Sequence, residues 1–511
     1  MLTSTLSITK RMSRSGSTAI KRTQTIARHM MSTSSSPPQQ EEPSVLFESL
    51  LAARTYKLNR PAKLNALDHT MIGLLRSKVE NWNTSDLCAA IWGSGEGRAF
   101  CAGGDVDGVV RDAADPSTRP RAIQFFKSEF ELDYILAALS KPYIAIMDGI
   151  TMGGGVGLSI PATFRVATEK TVFAMPETKI GYCPDVGASF FLSRLDGEMG
   201  TYLALTGDTL RGRAVFEHGF ATHFIPSRRV PMVLESVSAL DNTSSIQKSS
   251  QEDYYKRINE IIEENASEAE HSGAFVSEFV GAKRAAIDFA FRHDEVEKIY
   301  EDLRTLRNHR DLAISKWAST TLDTLDFRSP TSLKVALRAI RSGRTKSLVQ
   351  ALNMELQIAI ACCSGATPDF KTGVEAVLVT RTKERPNWSP STLEEITPEK
   401  VDDFFNGKYI TDKDRLEIPE PFASNTISKP SRFALPTEIE IRDVVTGSHV
   451  TSSGSGVTQD ELVAKITDLY NGKMGVKEKV LEVIARKCET TDNADGNRVW
   501  MKWVHSTEAP Q

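Results

Sequence analysis

The sequence predicts an α/β protein in which strands and helices alternate in layers. Three observations carry that expectation. Short extended runs at 55–58, 87–92 and 143–147 are separated by helical stretches; glycine-rich turns follow the strands; and an apolar fraction of 40% beside a charged fraction of 25% is ordinary for a packed core. A chain of 511 residues has room for roughly two to four domains. Its formal charge of −4 supplies no global positive field, which argues against nucleic-acid binding by bulk electrostatics. No run approaches the ~18 uncharged apolar residues of a membrane helix, so no membrane partner is expected.

The first 40 residues stand apart. They hold six basic side chains (Lys10, Arg11, Arg14, Lys21, Arg22, Arg28) and no acid before Glu41, with abundant Ser and Thr and spaced small apolar residues. That composition predicts a disordered mitochondrial transit peptide over 1–40, and with it a matrix location. Subtracting those six from 62 basic residues leaves 56 against 66 acids, a distinctly acidic remainder.

The first strand lies within residues 44–60 and is stopped by Pro61 after Asn59 and Arg60. From Asn65, a plausible cap, Leu67, Met71, Leu74, Leu75 and Val79 recur at helical steps. Leu87–Trp92 reads as a second strand, Arg121–Leu139 as a long helix ended before Pro142, and Tyr143–Met147 as a third strand. Two glycine-rich passages follow strands: Phe100–Asp105, with Gly103 and Gly104, and Gly149–Gly157, with Gly153 and Gly154. Such turns let a ligand approach the backbone and leave amide N–H groups unpaired. Tight structural turns are the other reading. The second run is not GxGxxG, so a dinucleotide site is not expected.

Two carboxylates come next, Glu177 in Met175–Thr178 and Asp185 in Pro184–Gly187, each beside a proline and between apolar runs. Paired buried acids would drive each other's pKa apart into a base and an acid; the plainer alternative has both as turn residues, with Asp185 capping a helix from Val186. The six cysteines (Cys88, Cys101, Cys183, Cys362, Cys363, Cys488) lack zinc or redox spacing, and His218 and His223 are five apart, so no metal and no disulfide framework are expected. Beyond about residue 410, prolines and a Ser/Gly linker over 446–456 precede amphipathic stretches at 462–470 and 476–484 and the pair Trp500 and Trp503, enough for a small appended unit.

Phe100–Asp105, Gly149–Gly157, Met175–Thr178 and Pro184–Gly187 together resemble the 3-hydroxyisobutyryl-CoA hydrolases of the crotonase superfamily. The resemblance runs from about Phe47 to about Phe404 and takes in Asn59-Arg60-Pro61, Leu64–Leu67, Arg165–Lys170 and Ser329–Lys334. It implies a crotonase spiral of ββα turns over 41–235, a helical C-terminal part over 236–410, and an appended unit over 411–511. It also implies hydrolysis of a small branched 3-hydroxyacyl thioester in valine breakdown, with coenzyme A as part of the substrate and no cofactor.

On that resemblance the backbone amides of Ala102 and Gly154 form an oxyanion hole, able to lower the barrier by about 3–4 kcal/mol per donor. Glu177 acts as nucleophile or as general base, and Asp185 binds the 3-hydroxyl and takes part in proton transfer. Glu129 matches a third, substrate-contacting carboxylate, though a solvated helix face suits it equally. Gly103, Gly104, Asp105 and Gly153 line the site, and Lys57, Arg60 and Lys63 are candidates for a basic CoA rim. The rival enoyl-CoA hydratase branch needs a second glutamate at the position held here by Gly157. Lys179, Cys183, Ala188 and Thr372 depart from the hydrolase pattern, and Lys179 beside the carboxylates would lower their pKa values unless it points to solvent.

Fungal-looking relatives with such extensions are components of the mitochondrial small ribosomal subunit. That gives a second reading, in which ribosomal proteins are partners. The extension carries 13 basic and 16 acidic residues, which favours protein contacts over direct RNA contact. A second copy of the chain is a further candidate partner.

Overall fold

The computed structural model describes residues 42–240, 251–266, 277–411, 413–425, 427, 432–450, 456–492 and 499–504. The expected transit segment and part of the 446–456 linker lie outside these residues. The described residues from Ser44 onward form one compact unit.

Strand β1 (Val45–Leu50) pairs antiparallel with β2 (Ala53–Leu58), and β3 (Ala90–Gly95), β5 (Tyr143–Met147), β7 (Phe164–Ala167) and β10 (His223–Phe224) extend the sheet in parallel. A second sheet holds β4 (Ala99–Cys101), β6 (Ile150–Met152), β8 (Val172–Ala174) and β9 (Leu210–Arg211) in that order. Sequential strands therefore alternate between sheets: β3 then β4, β5 then β6, β7 then β8. Each turn of chain gives one strand to each layer, the ββα spiral that the resemblance implies. β5 and β7 are buried on both faces, as central parallel strands are, with Arg165 the one charged side chain in them.

Helix α1 (His69–Thr84) is capped by Asp68, whose side chain accepts from the Met71 amide at 2.9 Å. Asn65, the expected cap, is instead fully buried in a left-handed conformation (φ 59°). Its side chain donates to the carbonyls of Glu96, Ala99 and Phe100 and accepts from the Arg60 amide. Asn65 thus fastens β4, and the glycine turn after it, to the segment before α1. Helix α2 (Val106–Ala114) follows that turn, α3 (Arg119–Ala137) lies where the long helix was expected, and α4 (Gly154–Ser159) opens on the second glycine run.

Helices α5 (Pro330–Gly343) and α6 (Leu348–Cys363) belong to the helical part, with α6 packed on α3. Ser329 caps α5 and Ser347 begins a capping box on α6. In the appended region α7 (Glu438–Val445), α8 (Gln459–Leu469), α9 (Val476–Lys487) and the hairpin β11 (Cys488–Asp492)–β12 (Val499–Trp503) put Ile441, Leu462, Val480 and Met501 into the same apolar core as the spiral. A charged network reinforces this docking: Arg284 and Arg486, both almost wholly buried, pair with Asp288 and Glu438, and Lys479 with Asp196. No described helix is long and apolar enough to cross a membrane.

Candidate active site

The two glycine bends meet because their strands pair: Ala99 lies opposite Ile150 and Cys101 opposite Thr151. Gly103 (φ 117°) and Gly153 (φ 46°) take conformations that L side chains rarely adopt. A Cβ on Gly103 would stand 3.6 Å from the Met152 carbonyl and 3.9 Å from the Gly154 nitrogen; one on Gly155 would strike the Cys101 carbonyl at 2.1 Å. The backbones touch, and only glycine lets them.

The oxyanion assignment needs one correction. The Ala102 amide donates to the Leu64 carbonyl at 3.0 Å, so its hydrogen is committed within the fold. Two residues on, Leu67 donates to the Gly103 carbonyl and accepts from the Asp105 amide, a parallel bridge centred on Gly104. In that pattern the central residue's own N–H points away from the partner, and the Gly104 amide has no backbone acceptor among the described residues. Gly154 is the first residue of α4, where amides have no intrahelical carbonyl. The amides available to a ligand at the two bends are therefore those of Gly104 and Gly154.

Around these bends gather the carboxylates. Glu177 begins a short 3₁₀ turn, Glu177–Ile180, and is 7% exposed. Its Oε1 lies 3.0 Å from the place of a Cβ on Gly153, and its Oε2 is buried without a partner. Glu129 is buried on α3 and faces Gly154 so closely that a Cβ there would overlap its Oε1; it does not lie on a solvated face. Burial pushes Glu177 up to about 8, and burial plus the Glu177 charge does the same to Glu129.

Asp185 is 5% exposed and is raised well above the ordinary range by burial and then by Glu129, Glu177 and Glu355, with Tyr182 opposing. It caps no helix through its side chain: Gly187 stands at the N-cap of the turn Ala188–Phe191. The next residue, Val186, is β-branched at φ 54°, a strain of about 1–3 kcal/mol held beside the site.

Two further acids were not among the sequence candidates. Glu355 on α6 accepts from the Gly187 amide at 2.6 Å, the Ser189 amide at 2.8 Å and the Ser189 hydroxyl at 2.5 Å, which clamps the turn after Asp185. Burial raises it to about 7 against those three donors. Asp133, one helical turn after Glu129, is buried with both oxygens unpartnered. Their signals in the sequence were slight: a lone acid in the apolar run Leu348–Cys363, and an acid four residues after Glu129.

The remaining expected residues divide. Asp105 receives Lys63 at 2.8 Å and Arg60 at 3.1 Å, which hold its carboxyl below the usual range against the cost of partial burial. Lys63 itself is exposed while it holds Asp105. Lys57 pairs with Glu96, away from that group. Lys179 is exposed, so it does not offset the buried acids, while Cys183 is buried. No group of His, Cys, Asp and Glu suited to a metal ion occurs among the described residues.

This arrangement can polarise a carbonyl with two amides and offer it an acid or its conjugate base from carboxylates set against the same bends. The profile of the Enoyl-CoA hydratase/isomerase family matches residues 53–405. Among curated proteins, the chain is 36% identical over 468 residues to a small ribosomal subunit protein mS47 of Neurospora crassa, covering 88% of this chain and 87% of that one. It is 38% identical over 391 residues to a mitochondrial 3-hydroxyisobutyryl-CoA hydrolase of Homo sapiens, covering 76% and 94%. A crystal structure of a carnitinyl-CoA dehydratase from Mycobacterium thermoresistibile shares 30% identity and a TM-score of 0.63, over 74% of this chain and 99% of that one.

Proposed function

Since the chain belongs to the enoyl-CoA hydratase/isomerase family, we propose that it hydrolyses 3-hydroxyisobutyryl-CoA to 3-hydroxyisobutyrate and CoA in the mitochondrial matrix, as a step of valine breakdown. The observation that carries this reading is the meeting of two glycine bends with Glu177. The thioester oxygen sits between the amides of Gly104 and Gly154, which stabilise the charge that develops on it. Glu177, ionised, supplies the electron pair at the carbonyl carbon, directly or through a water. On the direct path the C–S bond breaks to leave an anhydride on Glu177, which water then hydrolyses. On the other path the attacking water gives its proton to Glu177, and its oxygen is already that of the acid product. On both, the thiolate takes a proton and leaves as the thiol. Asp185 binds the 3-hydroxyl and exchanges protons with the leaving group. Lys63 and Arg60, gathered at Asp105, form the basic group for the CoA phosphates.

Hydrolysis is favoured over hydration by the slot at Gly157. A Cβ there would come within 2.7 Å of both the Asp133 carboxylate and the Val186 side chain, so a second glutamate has no room. Thiol release from a panel of CoA esters by the purified protein, beside its Glu177→Gln and Asp185→Asn variants, tests the assignment. Hydration of crotonyl-CoA outpacing thiol release would overturn it.

A second reading has its own support: the match to the fungal ribosomal protein spans 88% of the chain against 76% for the human hydrolase. In that reading the protein is also a component of the mitochondrial small ribosomal subunit, bound through protein contacts. Salt-dependent co-sedimentation of the tagged chain with mitochondrial small subunits is the expected result, and its complete absence from them removes the reading.

A further inference from the structure

Where the appended region closes over the spiral there is a cavity of about 570 Å³, the size of a small-molecule site. Neither glycine bend contributes to its lining. One wall comes from the spiral and its neighbours: Ile160, Phe190, Phe191, Leu195 and Phe220, with Leu348 at the start of α6. The other comes from Ala434, Leu435 and Pro436 ahead of α7, all beyond residue 405, where the family match ends. The cavity is therefore built partly from chain that the family profile does not include.

The polar groups inside the cavity are committed to one another. Asp196 takes Lys479 at 2.7 Å, and Glu217 takes Arg213 at 3.3 Å and the Ser277 amide at 2.8 Å. His218 is bonded to the Ser277 hydroxyl, and burial holds it neutral. Arg165 donates to the carbonyls of Ala162 and Phe220. At the rim, charge is left over. Arg194 lies 3.8 Å over the Phe190 ring and gives its terminal N–H groups to the carbonyls of Phe190, Gly343, Arg344 and Lys346. It has no carboxylate partner among the described residues. Lys346 is half-buried, and its ammonium has no acceptor among them either. The interior thus suits a chain without polar atoms, and the rim suits an anionic head.

We propose that this cavity is a second binding site, separate from the two bends, for a medium-chain aliphatic carboxylate. The head sits at Lys346 in the field of Arg194, and the chain lies between Phe191 and Leu435. Such a ligand touches the spiral and the appended region at once, so it stabilises the docking of one on the other. No step of this depends on thioester hydrolysis.

Isothermal titration calorimetry of the full chain with hexanoate, octanoate and decanoate, each below its micellar concentration, tests the proposal. Decanoate should bind with one-to-one stoichiometry and raise Tm, and each added pair of methylenes should tighten Kd by about tenfold. Lys346→Glu, a change at the rim, should weaken decanoate by about tenfold or more. Leu435→Trp, which fills the cavity, should abolish binding; if that variant does not fold, Lys346→Glu decides alone. Decyltrimethylammonium, the same chain with the opposite head, should bind about tenfold more weakly than decanoate. No heat with decanoate, equal Kd for the two heads, or a decanoate Kd unmoved by Lys346→Glu overturns the proposal. So does displacement of decanoate by saturating CoA, which would place it at the catalytic bends. Thiol release is not among these readouts, so a chain that hydrolyses no CoA ester fails the hydrolase reading while the decanoate titration still decides this one.

Discussion

At the scale of single residues, surroundings decide what each acid can do. Glu177 ionises only near pH 8 because burial disfavours its charge, yet it must be ionised to attack or to activate water. kcat/KM is therefore expected to rise with pH through about 8, which a pH–rate profile of thiol release measures. Glu177→Gln should cost about 10²–10⁴ in kcat with an unchanged circular dichroism spectrum; a loss below tenfold would remove Glu177 from the chemistry. Asn65 acts by holding backbone. Three carbonyls and one amide lose their partner in Asn65→Ala, for a destabilisation of about 2–4 kcal/mol in denaturant unfolding. The first glycine bend loosens with it, so kcat should fall as well.

At the scale of elements, the site is made by pieces that hold one another. The strained turn carrying Asp185 and Val186 keeps its shape because Glu355 reaches across from α6 to two amides and a hydroxyl beyond it. Glu355→Ala should orphan all three donors and lower stability by about 3–5 kcal/mol in chemical denaturation. A cost under 1 kcal/mol would mean that the turn stands unaided. Helix α3 is fixed on both faces. Glu129 and Asp133 look into the site, while on the other face Lys127 grips Glu417 and the Lys413 carbonyl, and Glu131 takes the Glu417 amide. The first residues of the appended region thus strap the helix that carries two of the site's acids.

At the scale of the whole molecule, the acid cluster sets the pH dependence of stability. Glu129, Glu177 and Glu355 are raised in the folded state, to about 8, 8 and 7, from an ordinary 4.5. Between roughly pH 4.5 and 8 the folded protein therefore binds more protons than the unfolded chain. Their contribution is fully present below pH 4.5 and is lost as pH rises toward 8, at most about 1.4 kcal/mol per group per pH unit. Tm should fall over that window, and Glu129→Gln should flatten the slope; a slope unchanged by the substitution would place its origin elsewhere. The appended region is equally integral. A chain ending at residue 410 would leave Arg284 without Glu438, Asp288 without Arg486 and Asp196 without Lys479, while uncovering the apolar surface under Ile441 and Val480. It should melt lower and aggregate in light scattering, because partly buried ion pairs are broken and apolar surface is bared to water.

Periodicity and turn residues by themselves determined the alternation of strands and helices, the third strand at Tyr143–Met147, the long helix that became α3, and the two glycine bends, because hydrophobic spacing and glycine's conformational freedom are local properties of the chain. The motifs around them also pointed to Glu177, Asp185 and Glu129. Only the tertiary structure decided which amide is left for a ligand, since Ala102 and Gly104 differ solely in whether a distant segment, Leu64 or Leu67, consumes the hydrogen. Only it moved Asn65 from helix cap to buried clasp, and only it brought Asp133 and Glu355 into the cluster. A carboxylate's role follows from the charges and donors folded around it, and those arrive from residues far away in sequence.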